Sequence, residues 1–148
     1  MLKVSYYFIF FLFFISAIGC FKKIEYVDTS SGRPEVIIRK ASKQRVLLQL
    51  VQAMKKKGYK RNRVKNSIVE FTKQIKVKGK IEKASVRFKI MGTGLGIRVL
   101  ASLYRISNFG TSSQKIVNVS KDSKDARGLQ GVLESIKDSL ESYYIKPF

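Results

Sequence analysis

Two runs of alternating apolar and polar side chains, within residues 84–103, constrain the fold of this chain most. The apolar members are Ala84, Val86, Phe88 and Ile90 in the first run, and Ile97, Val99, Ala101 and Leu103 in the second. Successive side chains of a strand point to opposite faces, so each run predicts an antiparallel strand with one buried face. Such a face needs a second layer to cover it, and we expect a layered domain built on a β-sheet.

The glycine-rich stretch between these runs reads Gly92-Thr93-Gly94-Leu95-Gly96. It has the composition of a phosphate-binding loop, but no helix pattern and no Lys-Ser/Thr pair follow it. We therefore predict a tight hairpin or a bulged turn that joins the two strands.

Two segments have the periodicity of amphipathic helices. In the first, Ser42 is a predicted N-cap and Gly58 a predicted C-terminal stop, and a stripe at i, i+3, i+4 and i+7 lies between them. This stripe consists of Leu47, Leu50, Val51 and Met54. The second segment runs from about Lys124 to Tyr143, with its stripe at Leu129, Val132, Leu133, Ile136, Leu140 and Tyr143.

Three more segments are predicted to be extended: residues 35–40, residues 59–79 with a turn at residues 65–67, and residues 115–119. The chain is thus expected to form an α+β two-layer sandwich with the order β-α-β-β-β-β-(β)-α. One twisted antiparallel sheet of four to six strands would carry both helices on one face.

The first twenty residues have the features of an export signal. Lys3 is their only charge, and an apolar or small run from Val4 to Ile18 follows. This run is shorter than the roughly 20 apolar residues of a spanning helix, and it is typical of a secretory signal peptide.

The end of this run, Ala17-Ile18-Gly19-Cys20, resembles the lipobox of bacterial lipoproteins. The resemblance implies that the signal is cut between Gly19 and Cys20 and that Cys20 carries the lipid. Ala17 departs from the leucine that the family most often has, as in the relaxed lipoboxes of spirochaetes. The alternative is an uncleaved anchor, which also leaves the rest of the chain outside the cytoplasm.

The expected organisation is a signal peptide over residues 1–19, a lipidated tether over residues 20–34 and one α+β domain over residues 35–148. Since no aspartate follows Cys20, the chain resembles the outer-membrane class of lipoproteins. The order of the elements is similar to that of helix-grip domains in several envelope lipoproteins. Both likenesses imply a lipid-anchored protein of the cell envelope.

The chain is strongly basic, with a formal net charge of +20. Nineteen basic and three acidic residues lie between Arg33 and Lys89, so the positive charge is concentrated there. This region predicts attraction to anionic partners. The candidate anionic-ligand patch is Lys55, Lys56, Lys57, Lys60, Arg61, Arg63, Lys65, Lys76, Lys78 and Lys80.

Two other interpretations of these cations stay open. They can be a solvated basic surface without a ligand. Alternatively, the lysines at 76, 78 and 80, which an extended chain would place on one face, can protect an edge strand from pairing with other chains.

The composition disfavours an enzyme. The chain has no histidine and a single cysteine, and its carboxylates show no paired spacing for acid–base chemistry. We predict no catalytic residue, no metal site and no cofactor. The expected function is a non-catalytic binding or structural role at the membrane surface, with an envelope protein as one candidate partner. The alternative is a module that binds an anionic polymer, either lipopolysaccharide, glycosaminoglycan or nucleic acid, of which export disfavours the last.

Overall fold

A computed structural model describes residues 29–65 and 67–142 of the chain. These residues form six strands and two helices, in the predicted order. Their bounds are β1 Glu35–Ile38, α1 Lys43–Lys56, β2 Lys60–Lys65, β3 Ile68–Val77, β4 Lys80–Thr93, β5 Gly96–Ser107, β6 Lys115–Asn118 and α2 Lys124–Ser142. The predicted α+β class, with one antiparallel sheet and two helices, is confirmed.

All strand pairs of the sheet are antiparallel, and the strand order is β1-β5-β4-β3-β2. β6 also pairs with β5, so two short strands share one edge of this long strand. β1 pairs with residues 97–100 of β5, whereas β6 pairs with residues 104–107. The two ladders leave residues 101–103 between them, although the Ala101 N–H still donates to the Pro34 carbonyl at 2.8 Å and the Leu103 carbonyl accepts from the Val119 N–H.

Both helices pack on the same face of the sheet, which we call the inner face. The alternation predicted for residues 84–103 is confirmed, since Val86, Phe88, Val99 and Ala101 are buried there. The rings of Phe71 and Phe88 meet edge to face at a centroid distance of 5.7 Å. The helices add Val46, Leu50, Met54, Leu129, Leu133, Ile136 and Leu140 to this core. Neither helix covers the opposite face, which we call the open face.

The first helix begins and ends at the predicted capping residues. The Ser42 hydroxyl accepts a hydrogen bond from the Arg45 N–H at 3.3 Å. At the start of α2, the Ser123 hydroxyl accepts one from the Ala126 N–H at 3.0 Å. Gly58 has a φ of 79°, and the Tyr59 N–H returns to the Met54 carbonyl at 3.0 Å. This is the left-handed stop that glycine adopts without strain.

Two predicted strands end earlier in the structure. β1 stops at Ile38, two residues before the predicted end, and Lys40 has a positive φ of 55°. β6 stops at Asn118, although the Val119 N–H still donates to the Leu103 carbonyl at 3.0 Å. The second helix is described up to Ser142, and Tyr143 lies outside the described residues. The predicted signal peptide, the predicted lipid site Cys20 and residues 21–28 of the predicted tether lie outside them as well.

The outer edge of β1 is covered by α2. Gln130 accepts a hydrogen bond from the Glu35 N–H at 2.9 Å, and its own amide donates to the Glu35 carbonyl at 3.1 Å. Further along, Glu141 accepts a hydrogen bond from the Arg39 N–H at 2.8 Å. These side chains satisfy backbone groups that an edge strand otherwise leaves unpaired.

Candidate functional site

The open face carries a large share of the cations of the sheet. Directly paired residues of neighbouring strands point to the same side, so the register assigns each side chain to one face. The side chain of Arg63 is not described. The other cations that the registers assign to the open face are Lys60, Lys65, Lys76, Lys83, Arg87, Lys89 and Arg98. The carboxylates that the same registers place there are Glu35 and Glu70.

Apolar side chains lie between these cations. Ile37, Met91, Leu100, Tyr104 and Ile106 of the open face are half-buried. The isoleucines at positions 68, 81 and 116 are more exposed, and Ile81 keeps 61% of its surface accessible. The open face therefore combines an aliphatic surface with long cationic side chains, a composition suited to an interface that is partly apolar and partly charged.

One hydrogen-bonded group lies at the centre of the open face. Glu70 accepts a hydrogen bond from the buried Ser85 hydroxyl at 2.7 Å and one from Arg87 Nε at 3.1 Å. The Arg87 guanidinium also lies 5.0 Å from the ring centroid of Tyr104. Burial alone raises the pKa of Glu70, but the bonds from Ser85, Arg87 and Asn62, with the charge of Arg87, outweigh it and lower the pKa.

A second ion pair marks the place where the N-terminal segment joins the open face. Arg98 Nη2 lies 2.7 Å from Glu35 Oε2. The Ser30 hydroxyl donates to the other oxygen of Glu35 at 2.7 Å and lies 3.4 Å from Arg98 Nη2. Burial alone would raise the pKa of Glu35. The hydrogen bonds from Ser31, Arg98 and Ser30, together with the charge of Arg98, outweigh this effect, and the pKa of Glu35 is lowered. The last residues of the predicted tether thus contact the domain.

Both open-face carboxylates are therefore engaged by arginines. For the lysines of this face, no acidic side chain lies within 4 Å in the part of the chain that the structure describes. The five lysines of the open face, which are Lys60, Lys65, Lys76, Lys83 and Lys89, therefore give this face an excess of positive charge. An anionic partner would neutralise charge that the fold itself leaves uncompensated.

The structure brings one part of the predicted patch together. Lys55, Lys56 and Lys57 lie at the C-terminal end of α1, and β2 begins three residues later with Lys60 and Arg61. Lys73 of β3 joins this group, because its Nζ donates to the Lys57 carbonyl at 2.9 Å. The negative end of a helix dipole is a favourable place for these cations.

The remaining patch residues lie far apart. Lys65 pairs with Ile68 at one end of β3, whereas Lys78 lies beyond its other end. Ten residues of extended chain separate the two levels, or about 33 Å. The side chain of Arg63 lies outside the described residues. The predicted residues therefore extend from the end of α1 along β2 to the β3–β4 turn, on both faces of the sheet, and do not form one compact pocket.

The expectation that the lysines at 76, 78 and 80 share one face is wrong. Lys78 and Gly79 form the two-residue turn of the β3–β4 hairpin, with φ values of 47° and 80°. Val77 pairs with Lys80, and Lys76 pairs with Ile81. Lys76 consequently belongs to the open face and Lys80 to the other one, because the reversal of the chain interrupts the alternation.

The idea of edge protection applies to a different set of residues. β2 is the edge strand on this side of the sheet, and four of the six residues of its sequence, KRNRVK, are basic. The end of β3 beyond Thr72, where the pairing with β2 stops, is a second exposed edge, with Lys73 and Lys76. Charged edges of this kind oppose pairing with other chains.

The predicted patch omitted Lys83, Arg87, Lys89 and Arg98 of the open face. The signal for three of them was in the sequence, because Arg87, Lys89 and Arg98 take the polar positions of the two alternating runs. The predicted patch was selected by the density of lysine along the chain, and it therefore contains cations near the edge of the sheet. The open-face cations are instead recognised by their position on one face of the sheet.

The aromatic residues near the basic region do not offer platforms for stacking bases. Phe71 and Phe88 are fully buried in the core. Tyr59 packs against the core on the inner face, and burial together with the negative charge of Asp125 raises its pKa. These three rings therefore supply no stacking platform, whereas Tyr104 lies on the open face beside the Arg87 guanidinium.

Within residues 29–65 and 67–142, no cluster of three metal-ligating side chains is found. No helix over the same ranges is both long enough and apolar enough to cross a membrane. Comparisons with models of known protein families, with curated proteins and with solved structures give no significant match.

Proposed function

We propose that this protein is a lipid-anchored lipoprotein of the cell envelope, with a non-catalytic binding role at the membrane surface, and that the open face makes the contact. The observation that carries the proposal is the excess positive charge of the open face, set among exposed aliphatic side chains. Anionic head groups attract such cations with about 1 kcal/mol for each Lys or Arg close to the surface.

The position of the N-terminal segment supports this orientation. Ser30 is bonded to the Glu35–Arg98 pair of the open face. Thr29 is the ninth residue after Cys20, so an extended chain between them would reach at most about 32 Å. A lipid on Cys20 would hold the open face near the bilayer, and two or three acyl chains would make the attachment stable.

The alternative function is a cationic module that binds an anionic polymer. It is favoured by the long band of cations along β2 and the β3–β4 hairpin, which extends over about 33 Å. A band of this length matches an elongated polyanion better than a single head group. Lipopolysaccharide and glycosaminoglycan are the candidate polymers of an exported protein.

The anchor is tested by intact mass and detergent partitioning of the wild type and of Cys20→Ala, expressed in a bacterium with a lipoprotein pathway. We expect the wild-type protein to begin at Cys20, to carry added acyl mass and to enter the detergent phase, and the variant to lose the acyl mass. A wild-type protein that keeps Met1 and has no lipid would contradict the proposal and leave the uncleaved anchor.

The orientation is tested with the lipidated protein in nanodiscs, with a spin label on a newly introduced cysteine. Gln74→Cys reports on the open face, and Ser139→Cys on the exposed side of α2. With anionic lipid at low salt, we expect contact with the head groups at position 74 only. Contact at position 139, or at neither position, would contradict the proposal.

A matched pair of variants separates the open face from net charge. Lys83→Gln/Lys89→Gln removes two open-face charges, and Lys43→Gln/Lys56→Gln removes two from α1. We expect the first pair to weaken the anionic-lipid contact by about 2 kcal/mol, or about 30-fold, and the second pair to change it less than threefold. Equal losses would show a response to net charge alone. If heparin displaces the protein from the bilayer and binds more tightly than lipid, the polymer function replaces the first one.

A further inference from the structure

A groove of about 230 Å³ lies on the inner face of the sheet, between the C-terminal end of α1 and the N-terminal half of α2. Val86 and Leu103, which pair directly across β4 and β5, line it from the sheet. Met54 and Leu129 line it from the two helices. Leu103 is half-buried, whereas the other three side chains are buried. The groove therefore has an apolar floor, and Leu103 is the part of this floor that stays accessible.

Gly128 keeps one wall of the groove low. It lies inside α2, where glycine is among the least favourable residues. No close packing requires it, because a Cβ at this position would meet no atom within 4 Å. A larger side chain at position 128 would occupy space beside the groove that the glycine leaves open.

The charge around the groove is positive. Lys57 and Lys124 line it, and no acidic side chain lies within 4 Å of either in the described part of the chain. Asp125 also lines the groove, but Arg105 Nη2 lies 3.0 Å from its Oδ2 and compensates its charge. Tyr59 is the other polar residue of the lining. The groove thus combines an apolar floor with two lysines that have no acidic partner.

We propose that this groove binds a medium-chain fatty acid, with the acyl chain on the apolar floor and the carboxylate between Lys57 and Lys124. Burial of methylene groups and a charge-assisted hydrogen bond would act together. At about 30 Å³ for a group of the size of water, the groove holds about eight heavy atoms. This is enough for the chain of octanoate and too little for a phospholipid. The inference is independent of the lipid anchor and of the open face, which lies on the opposite side of the sheet.

The test is a titration with octanoate, followed by NMR of the methyl groups. The full chain, with ¹³C-labelled methyl groups of Met, Leu and Val, is held in nanodiscs of zwitterionic lipid, and equilibrium dialysis gives the free concentration of octanoate. We expect the Leu103 methyl resonances to shift saturably with a Kd near about 1 mM. The absence of saturable shifts up to about 10 mM would overturn the proposal.

Two related compounds test the chemistry of the ligand. Butyrate keeps the carboxylate but loses four methylene groups, and we expect it to bind at least tenfold more weakly. Octanamide keeps the chain but loses the charge, and we expect it to bind at least fivefold more weakly. Butyrate binding as tightly as octanoate would indicate a site for simple anions, and octanamide binding as tightly would show that the lysines have no role. Either result would overturn the proposal.

A matched pair of glycine variants locates the chain of the ligand. Gly128→Leu is expected to weaken octanoate binding at least tenfold without a loss of thermal stability, because leucine is a better helix former than glycine. Gly131→Leu lies on the same helix but does not line the groove, and it also has open space at its Cβ. We expect it to change the affinity less than twofold. Equal effects of the two variants would overturn the proposal.

A second pair of variants locates the carboxylate. Lys57→Gln/Lys124→Gln is expected to weaken octanoate binding at least fivefold and to leave octanamide binding unchanged. Lys43→Gln/Lys137→Gln removes the same charge from the two helices outside the groove and is expected to change both affinities less than twofold. A loss of octanoate binding that is equal in the two double variants would show a response to net charge and would overturn the proposal.

Discussion

Gly96 has no room for a side chain. Its φ is 142°, and a Cβ at this position would overlap the Ile38 carbonyl oxygen and lie 3.1 Å from Arg39 Cα. Both obstacles are backbone atoms of β1 and the residue after it, so they can move only if the end of β1 moves. This glycine therefore allows β1 to approach β5 closely.

We expect Gly96→Ala to destabilise the domain by about 2–3 kcal/mol, because strain in the backbone and a steric overlap act together. Chemical denaturation measures the loss. Gly94→Ala, in the same turn, is the matched control, since nothing lies within 4 Å of its added Cβ. A loss of similar size in both variants would attribute the effect to the turn and not to the contact with β1.

Glu70 makes the stability depend on pH. Its pKa is lowered in the folded protein, so its contribution is fully present above the ordinary value of 4.5 and is lost as the pH falls through the folded pKa. We expect Glu70→Gln to cost about 1.5 kcal/mol at pH 7 and to make the loss of stability below pH 4.5 shallower.

Denaturation curves of Glu70→Gln at several pH values test this effect. Glu82→Gln is the control, because no hydrogen-bond donor reaches this carboxylate within the described ranges. A parallel decrease for wild type and Glu70→Gln would contradict the assigned role of Glu70.

At the scale of elements, the sequence predicted the capping residues and the buried faces because these depend on neighbours in the chain. Ser42, Gly58 and the alternation in residues 84–103 act locally, and each is confirmed. The pairing of β1 with β5 and the place of β6 depend on contacts across the chain, which periodicity does not contain. The candidate patch followed lysine density and omitted Arg87, although its polar position in the alternating run predicted the face on which it lies. Only its pairing with Glu70 depends on the register of the strands.

Gln130 connects two elements by a contact that no pattern in the sequence predicted. It lies on α2 and satisfies both backbone groups of Glu35 on the outer edge of β1. We expect Gln130→Ala to cost about 1–3 kcal/mol and to increase hydrogen exchange at the Glu35 amide. Gln52→Ala, on the exposed side of α1, is the control and is expected to be nearly neutral. Unchanged exchange at Glu35 would contradict the bridging role.

At the scale of the whole molecule, the acidic residues are concentrated in and beside one helix, α2, whereas α1 has none. The five acidic residues in positions 122–141 lie in or just before α2, whereas both carboxylates of the open face are held by arginines. We expect the two faces to respond differently to salt. Binding of the open face to anionic lipid should weaken steeply between low and physiological ionic strength, as measured by co-sedimentation, because screening acts on these exposed lysines. A salt-independent affinity would indicate an apolar interface instead.

The register of β1 also sets an order of assembly. During synthesis from the N-terminus, β1 is made first. Its residue Glu35 pairs with Leu100, and the Glu35 N–H bonds to Gln130, and both of these partners are made much later. The hairpins β2–β3, β3–β4 and β4–β5 close short loops and can form early. β1 can pair only after β5 is in place, because β5 is its partner in the sheet. Until β1 joins the sheet, the part of the β5 edge that it covers is open to strands from other chains.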